Sequence, residues 1–271
     1  GHPLPEGEGD LSALEKILKN GDVAALIVEP LVLAAGGMKF FSAETLKKLS
    51  ELCRAYDVLL IADEVMTGFG RTGTMFACQQ AGIWPDIMCL SKGLTGGFLP
   101  MGATLCAGKI YDAFYQKDRS KMFFHSSSYT GNALACAAAI ASLEIWEREP
   151  VLTRVQAISA QHSQAVARFA AREDVENARS LGTVLAMEVV EDPSPLIPLP
   201  EGRGKEAGYL ADVAPKLYDL FMQQNVLLRP LGNTVYILPP YCITEEELNH
   251  VYDVITIALG RLRDAREQQA A

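Results

Sequence analysis

The sequence predicts an α/β protein in which a large domain on a mostly parallel sheet (residues 1–149) precedes a smaller α+β domain (residues 150–271). Three observations carry that expectation. Amphipathic helical segments alternate with short apolar runs through most of the chain before Pro150, as helices layered on a parallel sheet require. The run Val58–Ala62 is continuously apolar, as a strand covered on both faces should be. Beyond Pro150 the strict alternation is lost.

The elements follow in order. Asp10 can cap a helix carrying Leu11, Leu14 and Leu18 on one face, and Gly21 closes it. The apolar run Val23–Val28 reads as a strand that ends at Glu29-Pro30. Ser42 caps a second helix with Leu46, Leu49, Leu52 and Cys53 facing inward. Further strands are expected at Val58–Ala62, Ile87–Leu90 and Ala103–Ala107. A helix rich in small residues starts after Gly131-Asn132 and runs through Trp146 until Pro150 breaks it. A long amphipathic helix then carries Val155, Ile158, Val166 and Phe169. In the C-terminal part, Val184–Val190 reads as a strand, Asp192–Gly204 as a surface loop and Val213–Gln224 as a helix. Two short strands are expected at Val226–Leu228 and Val235–Leu238. A last helix begins at Thr244, with Glu247 at the capping-box position.

Composition bounds the function. Lys and Arg number 24 against 33 Asp and Glu, a net charge of −9. An acidic surface disfavours nucleic acid and anionic membrane as partners, since both select basic patches. No run approaches the roughly 18 apolar residues that span a bilayer. The six cysteines have no CxxC spacing, and the expectation is reduced, mostly buried thiols in a cytoplasmic protein. The four histidines form no HxxxH or HExxH pattern, so no metal site is expected.

Three features stand where chemistry is expected in such a sheet. Asp63 directly follows the strand VLLIA, and Lys92 follows DIMCLS. Ligands of open α/β sheets bind at the carboxyl ends of parallel strands, so both side chains could reach one crevice. The third feature is the polar loop His125-Ser126-Ser127-Ser128-Tyr129-Thr130 before a helix. A lysine partly desolvated at a strand end can form an imine with an aldehyde, because desolvation favours the neutral amine. A carboxylate can face a ring nitrogen, and hydroxyls can hold a phosphate. Taken singly, each residue has a plainer role: a surface lysine, a turn aspartate, an ordinary loop.

Together, the wording IADEVMTGFGRTG (61–73), PDIMCLSKGLTGG (85–97) and HSSSYTGNALACAAA (125–139) resembles the class III aminotransferases, in order and through nearly the whole chain. The resemblance implies a fold-type I transferase dependent on pyridoxal 5'-phosphate (PLP). Lys92 would carry the cofactor and move the proton during transamination. Asp63 would pair with the pyridine nitrogen. Ser127 and Ser128 would bind the phosphate, Ser128 from the neighbouring subunit of a homodimer. The substrates would be a small-molecule amino donor and a keto-acid acceptor.

Within the family, Met66 stands where many members carry Gln, and LLRPLGNTVYILPPY (227–241) is close to one member in particular. By that likeness Arg229 would clamp the acceptor's carboxylate, with Ser126 and Tyr236 lining its pocket. A surface ion pair for Arg229 and a core tyrosine for Tyr236 are the plainer alternatives. Family members also carry an N-terminal portion ahead of the position of Gly1, with a phosphate-cradling element and a ring-stacking aromatic. The expectation is therefore a piece of a longer protein. Its alternatives are another ω-aminotransferase, acting on ornithine, acetylornithine, 4-aminobutyrate or lysine, and an inactive fold remnant.

Overall fold

The computed structural model describes residues 11–125, 127–190 and 213–270. The chain forms two compact units, residues 1–34 with 39–152, and residues 35–38 with 153–271.

In the first unit, α1 (Ser12–Leu18) precedes β1 (Ala25–Val28), the short strands β2 (Val32–Leu33) and β3 (Lys39–Phe40), α2 (Ala43–Ala55) and β4 (Leu59–Asp63). Then come β5 (Ile87–Leu90), β6 (Ala103–Cys106), α3 (Gly108–Phe114) and α4 (Ala133–Arg148). The main sheet has the order β1-β4-β5-β6. Its first two pairings are parallel and the last is antiparallel. The expected α/β architecture with a mostly parallel sheet is therefore present.

Local sequence explains several boundaries. Ser42 Oγ accepts the Thr45 N–H at 3.1 Å, which starts α2 where the sequence places it. Asn132 Oδ1 accepts from Leu134 and Ala135, capping α4 in the same way. Gly21 leaves α1 at φ +73°, a conformation glycine adopts without penalty. The expected cap Asp10 lies outside the described residues.

The sheet departs from expectation in one respect. β4 is not covered on both faces: Leu60 and Ala62 are buried, but Leu59 and Ile61 are only half-buried. β5 alternates likewise. Helix α2 packs against β4, while the other face has less cover among the described residues.

The second unit holds most of α5 (Val151–Ala170), then β7 (Val175–Leu181), β8 (Val184–Val189), α6 (Val213–Met222), β9 (Thr234–Ile237) and α7 (Glu245–Ala270). β7, β8 and β9 make an antiparallel sheet in that order. The capping box of α7 is reciprocal: Thr244 Oγ1 accepts the Glu247 N–H at 3.1 Å, and Glu247 Oε2 accepts the Thr244 N–H at 2.8 Å. The loop expected at Asp192–Gly204 lies outside the described residues.

The strand expected at Val226–Leu228 does not form. Asn225 takes a left-handed φ of +58°, and the Val226 N–H turns back to the Phe221 carbonyl at 3.1 Å. The segment thus closes α6 as a helix end and leaves Leu227 exposed. The thiols also need correction. None is in a disulfide, but only Cys53 and Cys78 are buried, while Cys106 and Cys242 are exposed. Cys106 is exposed because β6 is the last strand of its sheet and shows little burial on either face.

Candidate active site

The parallel register sets the site. Val28 pairs with Ala62, and Asp63 pairs with Cys89, so β1, β4 and β5 end side by side. Asp63 is the last residue of β4, and its Oδ1 accepts the Val65 N–H at 3.1 Å, fixing the carboxylate at the strand end. Lys92 begins a 3₁₀ turn (Lys92–Thr95) just beyond β5, and it is exposed there, not partly desolvated as the sequence leads one to expect. Glu29 follows β1 directly. Burial raises the Glu29 carboxyl above its ordinary range. The Asp63 charge adds to the rise, while the Ala34 N–H and the Lys92 ammonium oppose it. The three strand ends therefore bring Glu29, Asp63 and Lys92 into one electrostatic neighbourhood.

The backbone around Lys92 is unusual and well tied. Lys92 has φ +32°, outside the conformations that L-residues prefer. Such a residue persists only where its surroundings impose it, at a cost of about 1–3 kcal/mol. Here Ser91 Oγ donates to the Met101 carbonyl at 2.6 Å. The Leu94 N–H donates to the Ser91 carbonyl at 2.8 Å, and the Gly97 N–H to the Lys92 carbonyl at 3.1 Å. From α4, Ser142 Oγ donates to the Gly93 carbonyl at 3.3 Å.

The segment after Asp63 is organised by one buried side chain. Glu64 is fully buried, and its carboxylate accepts from Thr67 Oγ1 at 2.6 Å, the Ala77 N–H at 3.1 Å and the Cys78 N–H at 2.9 Å. Three donors satisfy a charge that would otherwise be costly to bury.

The other sequence candidates lie on other segments. Ser127 and Ser128 lie in an exposed loop that ends at the α4 cap. Among the described residues, no hydrogen bond joins them to Asp63 or Lys92. Ser126 lies outside the described residues. Arg229 and Tyr236 belong to the second unit. Arg229 is exposed and lines a small cavity with Ala214, Pro215, Tyr218 and Asp219. Tyr236 is a half-buried residue of β9 that pairs with Ala186.

Sequence reasoning missed Glu29, Glu64 and Phe69. A signal existed for Glu29, since a carboxylate at the carboxyl end of a parallel strand was the very argument made for Asp63. The burial of Glu64 and the contact of Phe69 with Gly93 depend on how the loop folds back, and no local pattern announces that.

A lysine and a carboxylate fixed at neighbouring strand ends fit a cofactor that offers an aldehyde and a ring nitrogen. A phosphate cradle is not assembled among the described residues. Among them, too, no group of His, Cys, Asp and Glu is placed to hold a metal ion, and no helix is long and apolar enough to cross a membrane.

Comparison with known proteins defines the class. Residues 6–259 match the family described as aminotransferase class III. The chain belongs to that family, whose sheet-and-helix architecture it shares. More particularly, it is 44% identical to the adenosylmethionine-8-amino-7-oxononanoate aminotransferase of Synechococcus elongatus, over 93% of this chain and 56% of that protein. The crystal structure of the enzyme of that name from Methanocaldococcus jannaschii superposes with a TM-score of 0.83 at 32% identity, covering 93% of this chain and 57% of that one. The ornithine aminotransferase of Toxoplasma gondii, described with PLP in partial occupancy at its active site, gives 0.79 at 28% identity over 98% and 59%. The chain thus spans just over half the length of each of these three proteins.

Proposed function

We propose that the natural protein containing this chain is a PLP-dependent aminotransferase that converts 8-amino-7-oxononanoate into 7,8-diaminononanoate, with S-adenosylmethionine as amino donor, in biotin synthesis. The observation that supports it most is the juxtaposition of Asp63 and Lys92 at the ends of paired parallel strands. The likeness to the two enzymes of that name narrows the substrates. On this reading residues 1–149 are part of the cofactor-binding domain and residues 150–271 form the small domain.

Each residue then has a task. The Lys92 amine holds the cofactor's aldehyde carbon. Lys92 Nζ would also carry the proton that leaves the donor's Cα. Asp63 would pair with the pyridine nitrogen. Bound PLP supplies an electron sink for the pair released at Cα. Ser127 and Ser128 hold the phosphate, Ser128 across the interface of a homodimer. Arg229 would clamp the acceptor's carboxylate, and Ser126 and Tyr236 would be further substrate-binding residues, as the family likeness implies. The exposed apolar side chains of the first unit are consistent with the homodimer, and the cytoplasm is the expected location.

Borohydride reduction of the natural protein, followed by peptide mapping, tests the assignment. The label should fall on Lys92, and Lys92→Ala should abolish turnover. Arg229→Ala should raise the KM for 8-amino-7-oxononanoate far more than that for the donor, since the acceptor's carboxylate would lose its charge-assisted partner. Label on another lysine sinks the reading. Ready amination of pyruvate or 2-oxoglutarate, with the nonanoate ignored, moves it to another ω-aminotransferase, such as one using ornithine, acetylornithine, 4-aminobutyrate or lysine. Absence of any bound cofactor makes the chain an inactive remnant.

A further inference from the structure

Phe69 and Lys92 are both non-glycine residues with positive φ, at +54° and +32°. The two segments meet through Gly93. A Cβ placed on Gly93 would lie 2.7 Å from Phe69 Cβ, 2.8 Å from Cδ2 and 2.9 Å from Cγ. Real side chains do not approach so closely, so the glycine exists to admit the phenylalanine. Phe69 is itself buried, in a cluster with Met88, Leu90, Leu94 and Ala139. Its ring also meets Phe76 edge-on, with centroids 5.7 Å apart. The ring therefore cannot withdraw without opening that cluster.

We infer that Phe69 is a positioning residue for Lys92: packed against Gly93, it holds the Lys92 backbone in its left-handed conformation and so presents the amine ready for the cofactor's aldehyde. This deepens the proposed function and rests on its assignment of Lys92. The physical argument is one of preorganisation. A lysine free to relax to negative φ must be returned to the strained conformation each time it bonds the aldehyde, and that cost weakens the bond. Phe69 imposes the conformation during folding instead, together with the hydrogen bonds from Gly97 and Ser142 on the same turn.

The test separates positioning from plain structural support. The aldehyde form of the cofactor, pyridoxal phosphate, is held through a covalent bond to Lys92. The amine form, pyridoxamine phosphate, has no aldehyde and makes no such bond. In the natural protein stripped of cofactor, Phe69→Ala should weaken pyridoxal phosphate on the order of tenfold or more while leaving pyridoxamine phosphate within about twofold. Phe69→Leu, which keeps bulk against Gly93, should retain most of the difference between the two forms. Gly93→Ala should reproduce the selective loss, and the double variant should lose little more than either single one, because both changes break one contact. Equal weakening of both forms would mean that Phe69 is only a core residue, and unchanged binding of both would mean that the contact is idle. Either result overturns the inference. Borohydride mapping of Phe69→Ala distinguishes the deeper failure: label on a lysine other than Lys92 removes the proposed function itself, whereas label on Lys92 without selectivity removes only the role of Phe69.

Discussion

In the second unit Phe169, Phe221, Leu185, Met187, Leu248 and Ile255 pack into one core with almost no exposure. In the first, comparable side chains stand in solvent: Ile27 is 63% exposed on β1, Leu134 72% on α4, and Phe98 and Tyr129 81% each. Of the sixteen residues of α4, only Ala135 and Ala139 are buried. The second unit meets the usual condition of a domain, an apolar face turned inward on each element. The first carries the candidate chemistry but leaves many of its large apolar residues uncovered, and exposed patches of that kind mark surfaces made to be covered. Chemistry and self-sufficiency are thus found in different parts of this chain.

Separate expression gives the largest expected contrast. Residues 153–271 should run as a monodisperse species in size-exclusion chromatography and unfold cooperatively, whereas residues 1–152 should aggregate. A soluble, well-folded 1–152 would erase the distinction. Next in size is Phe221→Ala. Emptying that fully buried position should cost about 3–5 kcal/mol in denaturant unfolding of residues 153–271. A loss under about 1 kcal/mol would mean that the core is less close-packed than its burial indicates.

Acid should act on the two units with opposite sign. Burial pushes the Asp174 carboxyl up, but the Arg172 fork, at 2.7 and 2.6 Å, outweighs it and holds the group below its ordinary 3.8. A depressed acid stabilises the fold above its unfolded value and loses that contribution as pH falls through the folded value, here below about pH 4. Glu29 is raised above its ordinary 4.5, chiefly by burial. Its contribution is present below the unfolded value and lost as pH rises through the folded one. Asp174→Asn should therefore flatten the acid limb of stability in the second unit. Glu29→Gln should raise the melting temperature of the natural protein more at pH 7 than at pH 5. The same sign from both variants would contradict these environments.

The smallest effect concerns Thr72, 2% exposed, whose hydroxyl has no hydrogen-bond partner among the described residues. Thr72→Val replaces an unsatisfied buried hydroxyl with a methyl of similar size. It should be neutral or stabilising by about 1 kcal/mol. A clear destabilisation would reveal a partner for the hydroxyl.

Much of the first unit was legible because its strands are short, apolar and bounded by turn residues. Asp63 and Lys92 were legible for the same reason, since a strand that can be found also locates its carboxyl end. The misses share a cause as well. β7 reads VENARSL, with no run of apolar residues, and exists because β8 offers it a ladder of hydrogen bonds. Val226–Leu228 has strand-like side chains, yet the end of α6 claims its first N–H. Phe69 required the return of its loop onto Gly93. Information held in pairings between distant segments is absent from local pattern.

The carboxylate of Glu64 gathers donors from Thr67, Ala77 and Cys78 across a stretch with little regular secondary structure. It works as a clasp, shutting a loop whose closure would otherwise be opposed by chain entropy. Amide exchange at Ala77 and Cys78 should accordingly be slow and synchronous, reporting release of the clasp rather than fraying of the 3₁₀ turn they begin. The residue before the clasp is Asp63, so the order that strand pairing gives that aspartate on one side is matched on the other by a single buried side chain.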